Sequence, residues 1–325
     1  MSEVAMVAGV SIATVSRFLN GQLNRMSKKT ADRIAKVISE TGYIANASAR
    51  QLSTHSSGLI AIVAANIDDY FSTEFFKGAS SVLEQHHLNA VLFDSNSQKQ
   101  REINNLKIIN QQIFDGLIIQ PLTSYYNSVR ELISNHLETI ILDRDLHTDD
   151  WLTVETNNYE IAHQASEYYL KNDFEECIII SETIRGTSTR EDRFFGIRDI
   201  YQGAKLIETD NNRPFIKYNY LKMKKIYLDN LSNGKKTLFF FLKERLILNF
   251  FSLLMNDHIL DNQNTAITGF SDTSVIKELF PKAKMIKQNP FLMGATAAEI
   301  LSKKLEDKKI SNYPNNKIIV PAEFK

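Results

Sequence analysis

The first twenty residues carry side chains whose types and spacing suit contact with the edges of DNA bases. Gly9 can take the left-handed conformation that ends a helix, and Ser11 offers a hydroxyl to the free backbone amides of the next helix. That helix begins with Ile12 and Ala13, and this pattern places the start of the second helix of a helix-turn-helix in the major groove. The alternative is a surface helical hairpin with no partner. The remaining residues of the helix separate into an apolar side and a polar side, namely Val15, Phe18 and Leu19 against Thr14, Ser16, Arg17 and Asn20.

Two further helices are needed to hold that second helix in place. Residues 3–8 suit a helix that Ser2 is available to cap. After Ser27, apolar residues recur at helical spacing until Gly42, and we expect their apolar face to cover the first two helices. These residues are Ala31, Ile34, Val37 and Ile38.

Charge is unevenly distributed along the chain. The 38 basic and 38 acidic residues give a net charge of zero, although proteins that bind DNA usually show a basic surface. Residues 1–57, however, hold seven Lys and Arg against three acidic residues, a local charge of +4, so the remainder carries −4. The positive charge therefore lies where the motif lies.

The chain of 325 residues suits a headpiece of about sixty residues followed by a larger module. Continuous apolar strands that alternate with helices indicate a parallel sheet covered on both faces, and two such units in tandem predict two lobes. We therefore expect an α/β fold in which a small all-α headpiece precedes a two-lobed, doubly wound parallel-sheet domain. Ligands of such domains lie in a cleft at the carboxyl ends of the strands. The predicted strands are 59–65, 90–93, 116–119, 139–142, 177–181, 237–241 and 266–270, and the predicted helices are 73–87, 100–113, 159–170, 191–202 and one through Phe251.

Several classes of function are disfavoured by what the sequence lacks. No apolar run approaches the roughly 18 residues that span a bilayer, and the N-terminus lacks a signal-peptide pattern, so we expect a cytoplasmic protein without a membrane partner. The single cysteine, Cys177, lies in a predicted buried strand. No phosphate-binding glycine motif and no metal-spaced Cys and His set is present, so we predict no cofactor, no metal and no enzymatic activity. The adjacent acids Asp68 and Asp69 could form a catalytic pair of a sugar hydrolase or kinase, although such acids after a strand are more often loop or ligand groups.

The N-terminal pattern resembles the DNA-binding headpiece of the LacI/GalR family of bacterial transcription regulators. The resemblance implies a headpiece over 1–44, a hinge over 45–57 and an effector-binding and dimerisation domain over 58–325. It also implies that Ile12 and Ala13 read bases and that Arg17 reaches a base edge or a phosphate. It rests on Val4-Ala5, Ala8-Gly9-Val10-Ser11, Thr14-Val15-Ser16-Arg17 and Leu19-Asn20, then on Thr30, Tyr43, Asn46, Ala49 and Leu52.

The hinge of the family becomes helical on the operator and inserts a leucine into the minor groove. Ala49 and Leu52 match the minor-groove positions, and a solvated linker is the alternative. Two residues depart from the family pattern: Ala45 stands where proline is usual, and Met1 stands where an apolar residue of the first helix is expected. The reading frame could therefore start upstream, or one phosphate contact is missing. The complete predicted DNA-binding set is Ser11, Ile12, Ala13, Thr14, Ser16, Arg17, Asn20, Asn46, Ala49 and Leu52.

The rest of the chain resembles the periplasmic-binding-protein-like effector module of the same family. The resemblance implies one lobe over about 58–156 plus 290–310, and a second over 157–289 plus the C-terminal strand. It is carried by Phe114-Asp-Gly-Leu-Ile-Ile, Asn158-Tyr159, Ser188 to Gly196, Ile267 to Asp272 and Lys287-Gln-Asn-Pro.

The same resemblance implies an effector site. Phe71 matches the aromatic that packs on a sugar face, Asp143 the acid that binds hydroxyls, and Arg193 the usual ligand arginine. Lys243 replaces the usual asparagine and Ser271 replaces the first of two acids, which makes the cleft more positive by two charges than the family pattern. The predicted effector set is Phe71, Asp143, Arg144, Arg193, Lys243, Ser271, Asp272 and Gln288.

That extra positive charge leads to a hypothesis of an anionic effector, such as a sugar acid or a sugar phosphate. The alternative is that Lys243 and Arg144 point to solvent or to a nearby acid such as Glu244 or Asp145. The resemblance then implies a homodimeric repressor of carbohydrate-utilisation genes that binds a pseudopalindromic operator and changes the angle between its lobes with effector. A regulator that responds to a neutral sugar or to a protein corepressor is the alternative function.

Overall fold

The computed structural model describes residues 1–19, 21–43, 56–209, 213–306 and 313–325. Within them the chain forms two compact units, residues 1–57 and residues 58–325. Four predicted DNA-binding residues lie outside the described residues, as does most of the predicted hinge. These four are Asn20, Asn46, Ala49 and Leu52.

The first unit is a group of three helices, α1 (Ser2–Ala8), α2 (Ile12–Leu19) and α3 (Lys28–Thr41), with a 3-10 turn at Leu23–Arg25. The chain bends by 104° between α1 and α2, which is the crossing expected of a helix-turn-helix. The three helices bury a small common core of Val4, Ala5, Ala8, Val15, Ile34 and Val37.

Three of the predicted helix ends are confirmed and one is wrong. Gly9 ends α1 in the left-handed region with φ 58°, and Gly42 ends α3 in the same way. The Ser11 hydroxyl accepts a hydrogen bond from the Thr14 amide at 3.2 Å. Ser2 does not cap α1, because it is already the first helical residue and Met1 occupies the cap position.

The second unit contains twelve strands and nine longer helices among its described residues. The strands are β1 (Leu59–Ala64), β2 (Asn89–Asp94), β3 (Gly116–Ile119), β4 (Glu138–Leu142), β5 (Leu152–Glu155), β6 (Glu176–Ser181), β7 (Lys205–Glu208), β8 (Thr237–Phe241), β9 (Thr265–Gly269), β10 (Ile286–Lys287), β11 (Lys317–Ile319) and β12 (Glu323–Phe324). The helices are α4 (Tyr70–Gln85), α5 (Lys99–Gln111), α6 (Tyr126–Arg130), α7 (Asn158–Leu170), α8 (Ser188–Ile200), α9 (Arg213–Ser232), α10 (Glu244–Asn256), α11 (Val275–Leu279) and α12 (Pro290–Leu305). Short 3-10 turns lie at Ile259–Asp261 and Pro314–Asn316.

Two parallel sheets define the lobes of this unit, as the sequence predicts. The first sheet has the order β11-β5-β4-β3-β1-β2 and the second has the order β7-β6-β8-β9, and every pair in both is parallel. Their strands are nearly continuous apolar runs because helices cover both faces. The predicted fold class is therefore confirmed.

The chain crosses between the lobes three times: after β5, after β10 and after β11. The first and third crossings are joined by hydrogen bonds, since the Thr156 hydroxyl donates to the Val320 carbonyl at 2.6 Å and the Ala322 amide donates to Asn157 Oδ1 at 2.8 Å. The predicted C-terminal strand of the second lobe is in fact divided. β11 extends the first sheet beside β5, and only β12 pairs with β10 in the second lobe.

The sequence pattern missed several elements, among them β5, β7 and the long helix α9. In β5 the run Leu-Thr-Val-Glu is fully buried but lacks a continuous apolar pattern, since it contains Thr153 and Glu155. The Glu155 carboxylate pairs with Lys317, and its carbonyl accepts from the Val320 amide. Among the described residues no single helix is long and apolar enough to cross a membrane, although the bent pair α1 and α2 reaches that length and composition when the two are taken together.

Candidate DNA-reading face and effector cleft

The predicted base-reading residues form the solvent-exposed side of α2. Ile12 is 52% exposed, and Ser11, Ala13 and Arg17 are also exposed. Val15 on the opposite side is fully buried. Thr14 and Ser16 lie between these two environments. The helix therefore presents an apolar tip with adjacent hydroxyl and guanidinium groups, which is the set that contacts thymine methyl groups and phosphates.

The second unit contains a cleft between its lobes, at the carboxyl ends of both sheets, with about 860 Å³ of empty space that includes its opening to solvent. Its walls follow the strands β1, β3 and β4 on one side and β8 and β9 on the other. Seven of the eight predicted effector residues line it, namely Phe71, Asp143, Arg144, Arg193, Lys243, Asp272 and Gln288. The eighth, Ser271, is buried and donates its hydroxyl to Glu244 at 2.6 Å.

Asp143 and Arg144 form the wall of the first lobe. Asp143 has a φ of 67°, a conformation that is uncommon outside glycine and is found at functional sites. Gln120 Nε2 donates to Asp143 Oδ2 at 2.8 Å, while Asp143 Oδ1 is buried without a hydrogen-bond partner. Arg144 donates from Nη1 to the Pro121 carbonyl at 2.8 Å, and its buried Nε lacks a hydrogen-bond partner.

Arg193 forms the facing wall in the second lobe. Its guanidinium donates to Asn158 Oδ1 at 2.8 Å and to the Leu242 carbonyl at 2.7 Å, and it lies over the Phe270 ring at 3.6 Å from the centroid. Burial lowers the pKa of Arg193 to about 10; the charges of Asp143 and Asp272 oppose this shift, and those of Arg190 and Arg144 add to it. This guanidinium is therefore desolvated, and its hydrogen bonds go to neutral oxygens rather than to a carboxylate.

Lys243 lines the cleft, but its ammonium is already paired. It lies 2.9 Å from Asp69 Oδ2 and 3.0 Å from Glu182 Oε1, rather than beside Glu244 or Asp145 as the alternative interpretation expected. Glu182 also forms an ion pair with Arg190. Although burial opposes ionisation, these cations hold the pKa of Glu182 at about 2. The additional positive charge that Lys243 was expected to contribute is therefore neutralised within the protein.

Asp272 and Gln288 close the rear of the cleft. The Gln288 amide donates to Asp272 Oδ1 at 2.6 Å, and Gln288 Nε2 is buried without a hydrogen-bond partner. Burial raises the pKa of Asp272 to about 7, although the Gln288 amide lowers it, and the charge of Glu244 raises it further. Phe71 packs edge-on against Phe75 with ring centroids 5.9 Å apart.

The sequence reasoning missed four residues that shape this site: Gln120, Asn158, Glu182 and Arg190. Gln120 and Glu182 directly follow β3 and β6, so the rule that ligands meet the carboxyl ends of strands could have identified both. Asn158 and Arg190 lie within α7 and α8, in two of the segments that carry the resemblance to the effector module, and that resemblance could have pointed to them.

No group of three or more His, Cys, Asp or Glu side chains is placed to share a metal ion in the described part of the chain. Cys177 is buried in β6, and desolvation raises the pKa of its thiol well above the ordinary value.

Comparisons with known proteins match both units of the chain. Residues 1–46 match the model of bacterial regulatory proteins of the lacI family, and residues 56–212 match that of periplasmic binding proteins and the sugar binding domain of the LacI family. The HTH-type transcriptional regulator KdgR of Bacillus subtilis (strain 168) is 26% identical over 95% of this chain and 92% of its own length.

Solved structures agree with these matches. The crystal structure of a LacI transcriptional regulator from Lactobacillus brevis is 35% identical, with a TM-score of 0.74 over 82% of this chain and 99% of that chain. The lac repressor dimer bound to operator and the anti-inducer ONPF has a TM-score of 0.80 over 99% of this chain and 96% of that chain, at 19% identity. With a helix-turn-helix unit, a two-lobed cleft and these matches in both parts, the chain belongs to the LacI family of DNA-binding transcription regulators.

Proposed function

We propose that this protein is a cytoplasmic repressor of carbohydrate-utilisation genes whose operator affinity is set by a small sugar-derived effector bound between the lobes. The observation that supports the effector most strongly is a set of buried polar atoms without hydrogen-bond partners in the cleft: Asp143 Oδ1, Arg144 Nε and Gln288 Nε2. Unpaired buried groups cost free energy, and a ligand that supplies partners recovers it.

The chemistry of those atoms favours a polyhydroxylated ligand. One is a carboxylate acceptor and two are donors, and a sugar hydroxyl can both donate and accept. Because the buried Arg193 guanidinium bonds to neutral oxygens and forms no ion pair with a described carboxylate, we propose that the ligand also carries an acidic group, as a sugar acid or a sugar phosphate does.

The DNA-binding part of the proposal is a symmetric dimer on a pseudopalindromic operator. The exposed side of α2 would enter the major groove of each half-site, with Ile12 and Ala13 on base edges and Arg17 on a base edge or phosphate. The lac repressor, whose fold this chain shares, was solved as a dimer on its operator. A change in the angle between the lobes on effector binding would alter the affinity for DNA.

A ligand panel tests the effector. Thermal unfolding of the full chain with neutral sugars, sugar acids and sugar phosphates should reveal a compound that stabilises it, by about 2.7 kcal/mol at a hundred times its dissociation constant. Arg144→Met should abolish that stabilisation. Arg101→Met removes an arginine whose guanidinium is paired with Asp94 outside the cleft, and it should leave the stabilisation intact. A neutral sugar that binds more tightly than any acid or phosphate would contradict the acidic group, and no stabilisation by any sugar would favour a protein corepressor.

Selection of binding sites from a random DNA library tests the regulator. We expect the selected duplexes to share a pseudopalindrome, and the effector found in the panel should change their affinity for the protein. Selected sequences without two-fold symmetry would contradict the dimer. Turnover of a candidate sugar would contradict the assignment as a non-enzymatic regulator.

A further inference from the structure

Three charged side chains form a continuous ion chain across the cleft. Asp69 belongs to the first lobe and precedes α4, whereas Lys243 and Glu182 belong to the second lobe, where they follow β8 and β6. Lys243 Nζ lies 2.9 Å from Asp69 and 3.0 Å from Glu182. Each of the three side chains is less than one fifth exposed, so water screens these pairs only partly. We call this set the Glu182–Lys243–Asp69 ion chain.

Neighbouring cations also form ion pairs with the carboxylates of this ion chain. Arg190 forms an ion pair with Glu182, and Arg245 approaches Asp68 at 3.6 Å and Asp69 at 4.0 Å. In the described part of the lining, five cationic side chains face five carboxylates, and Glu182 adds a sixth carboxylate to the ion chain. The cleft as a whole therefore carries no surplus of positive charge.

One cation lacks a partner of this kind. No ion pair within 4.0 Å joins the Arg193 guanidinium to a described carboxylate; its partners are the neutral oxygens of Asn158 and Leu242. Arg144, across the cleft, is 3.9 Å from Asp143 through an atom that makes no hydrogen bond. A single carboxylate between these two guanidiniums would supply the missing counter-charge.

A second negative charge on the ligand would have no further unpaired cation to contact among the described cleft residues. The remaining cations are already paired, so a dianion would enter a partly desolvated cleft next to Asp69, Asp143 and Asp272. Buried charge without a counter-ion is costly, and like charges at this range repel.

We propose that the effector is a sugar monocarboxylate held between Arg144 and Arg193, and that the Glu182–Lys243–Asp69 ion chain ties the lobes together and excludes dianionic sugar phosphates. This inference rests on the proposed function, since it names the ligand class of the same cleft. It assigns Lys243 to the contact between lobes rather than to the effector.

Isothermal calorimetry on the full chain tests this proposal with three ligands of one carbon skeleton: a hexuronate or aldonate, its neutral parent sugar and the 6-phosphate of that sugar. Several skeletons are compared, because the pattern of hydroxyls is not assigned. For at least one skeleton, the acid should bind the wild-type protein at least tenfold more tightly than the other two ligands.

The decisive variant is Asp69→Asn. It removes one carboxylate from Lys243 and so frees positive charge, and the ratio of phosphate affinity to acid affinity should rise at least tenfold. Glu182→Gln should change this ratio in the same direction. Agreement between the two variants would show that the change does not come from a local distortion at one of the substituted sites. The matched control is Glu74→Gln on the same helix α4, whose carboxylate pairs with Lys77 outside the cleft, and it should leave the ratio unchanged.

The outcomes separate this proposal from the one it rests on. If a phosphate or a neutral sugar is the tightest ligand of the wild-type protein, or if Asp69→Asn behaves like Glu74→Gln, the monocarboxylate proposal is overturned while a sugar effector stands. If no sugar of any class binds, both proposals are overturned.

Discussion

At the scale of single residues, the polar groups of the exposed side of α2 are in contact with water, whereas those of the effector cleft are buried. Arg17 is exposed on α2, so its contacts with water can be exchanged for contacts with DNA at little cost to stability. Ser11 is also exposed, but its hydroxyl caps α2, so its substitution acts on stability as well. Arg193 and Asp143 are buried, and their environment already shifts a pKa or strains the backbone. We expect substitutions on the exposed side of α2 to act on DNA binding, and substitutions in the cleft to act on both stability and effector binding.

The cap of α2 gives a prediction that separates two serines. Ser11→Ala removes the acceptor of the Thr14 amide and should destabilise the N-terminal unit by about 1 kcal/mol. Ser2→Ala should have almost no effect, because Ser2 makes no capping bond. Hydrogen exchange of the amides at the start of α2 in the full chain measures the difference. Equal exchange rates in the two variants would show that the Ser11 cap contributes nothing.

Asp272 should make the stability of the second unit depend on pH. Its pKa is about 7 in the folded chain and near 3.8 when unfolded, so between these values the folded state retains a proton that the unfolded state releases. The contribution of Asp272 is therefore fully present below about pH 4 and is lost as the pH rises through 7. The Asp272→Asn variant has no ionisable group at this position. Its free energy of unfolding minus that of the wild type should therefore be more positive at pH 8 than at pH 5. Urea unfolding of both proteins at these two pH values measures the change, and a difference that is the same at both would contradict the assignment.

At the scale of elements, the close pairing of α4 with α12 fixes the second crossing of the chain. A Cβ at Gly78 would lie 1.9 Å from the Phe291 carbonyl oxygen, and one at Gly294 would lie 1.9 Å from the Phe75 carbonyl oxygen. The two helices thus touch backbone to backbone at both glycines. This contact brings α12 onto the first lobe, although it follows β10 of the second lobe.

Gly294→Ala should therefore be strongly destabilising. The added methyl group meets backbone that cannot move as a side chain does, and overpacking of this kind costs about 1–3 kcal/mol or more. Gly203→Ala is the control, because nothing lies within 4 Å of a Cβ there. Chemical denaturation of the full chain should show a lower midpoint for the first variant alone. If both variants unfold at the midpoint of the wild-type protein, the close approach of the helices is incorrect.

At the scale of the whole molecule, charge is divided between the two units. The first carries +4 and the second −4, so the neutral total conceals a basic DNA-binding unit. Affinity for the selected operator should fall steeply with salt, because each phosphate contact releases counter-ions.

Arg17→Ala distinguishes the two roles left open for this residue. If Arg17 contacts a phosphate, the slope of log affinity against log salt should become shallower by about 0.9 and all operators should weaken alike. If it contacts a base edge, the loss should depend on the base at one operator position. Fluorescence anisotropy at several salt concentrations measures both, with Lys171→Ala in the second unit as the control. Unchanged affinity on every operator would exclude both roles.

The sequence by itself determined the features that depend on neighbours along the chain. The turn at Gly9 and the cap at Ser11 follow from local backbone chemistry, and the buried strands follow from uninterrupted apolar runs. The candidate cleft residues came from the resemblance to the effector module of the LacI/GalR family, and seven of the eight line the cleft at the carboxyl ends of the parallel strands.

Only the tertiary structure decided the features that depend on groups distant in sequence. The partners of Lys243 are distant in sequence: Glu182, 61 positions away, meets it because β6 and β8 are neighbours in one sheet, and Asp69, 174 positions away, meets it only when the lobes come together. β5 alternates apolar and polar residues and β11 is only three residues long, and each takes its place at the edge of the first sheet through pairing with strands distant in sequence, β5 with β4 and β11 with β5. The division of the C-terminal segment between two sheets has the same cause: its hydrogen-bond partners are set by the packing of the lobes, which no local pattern encodes.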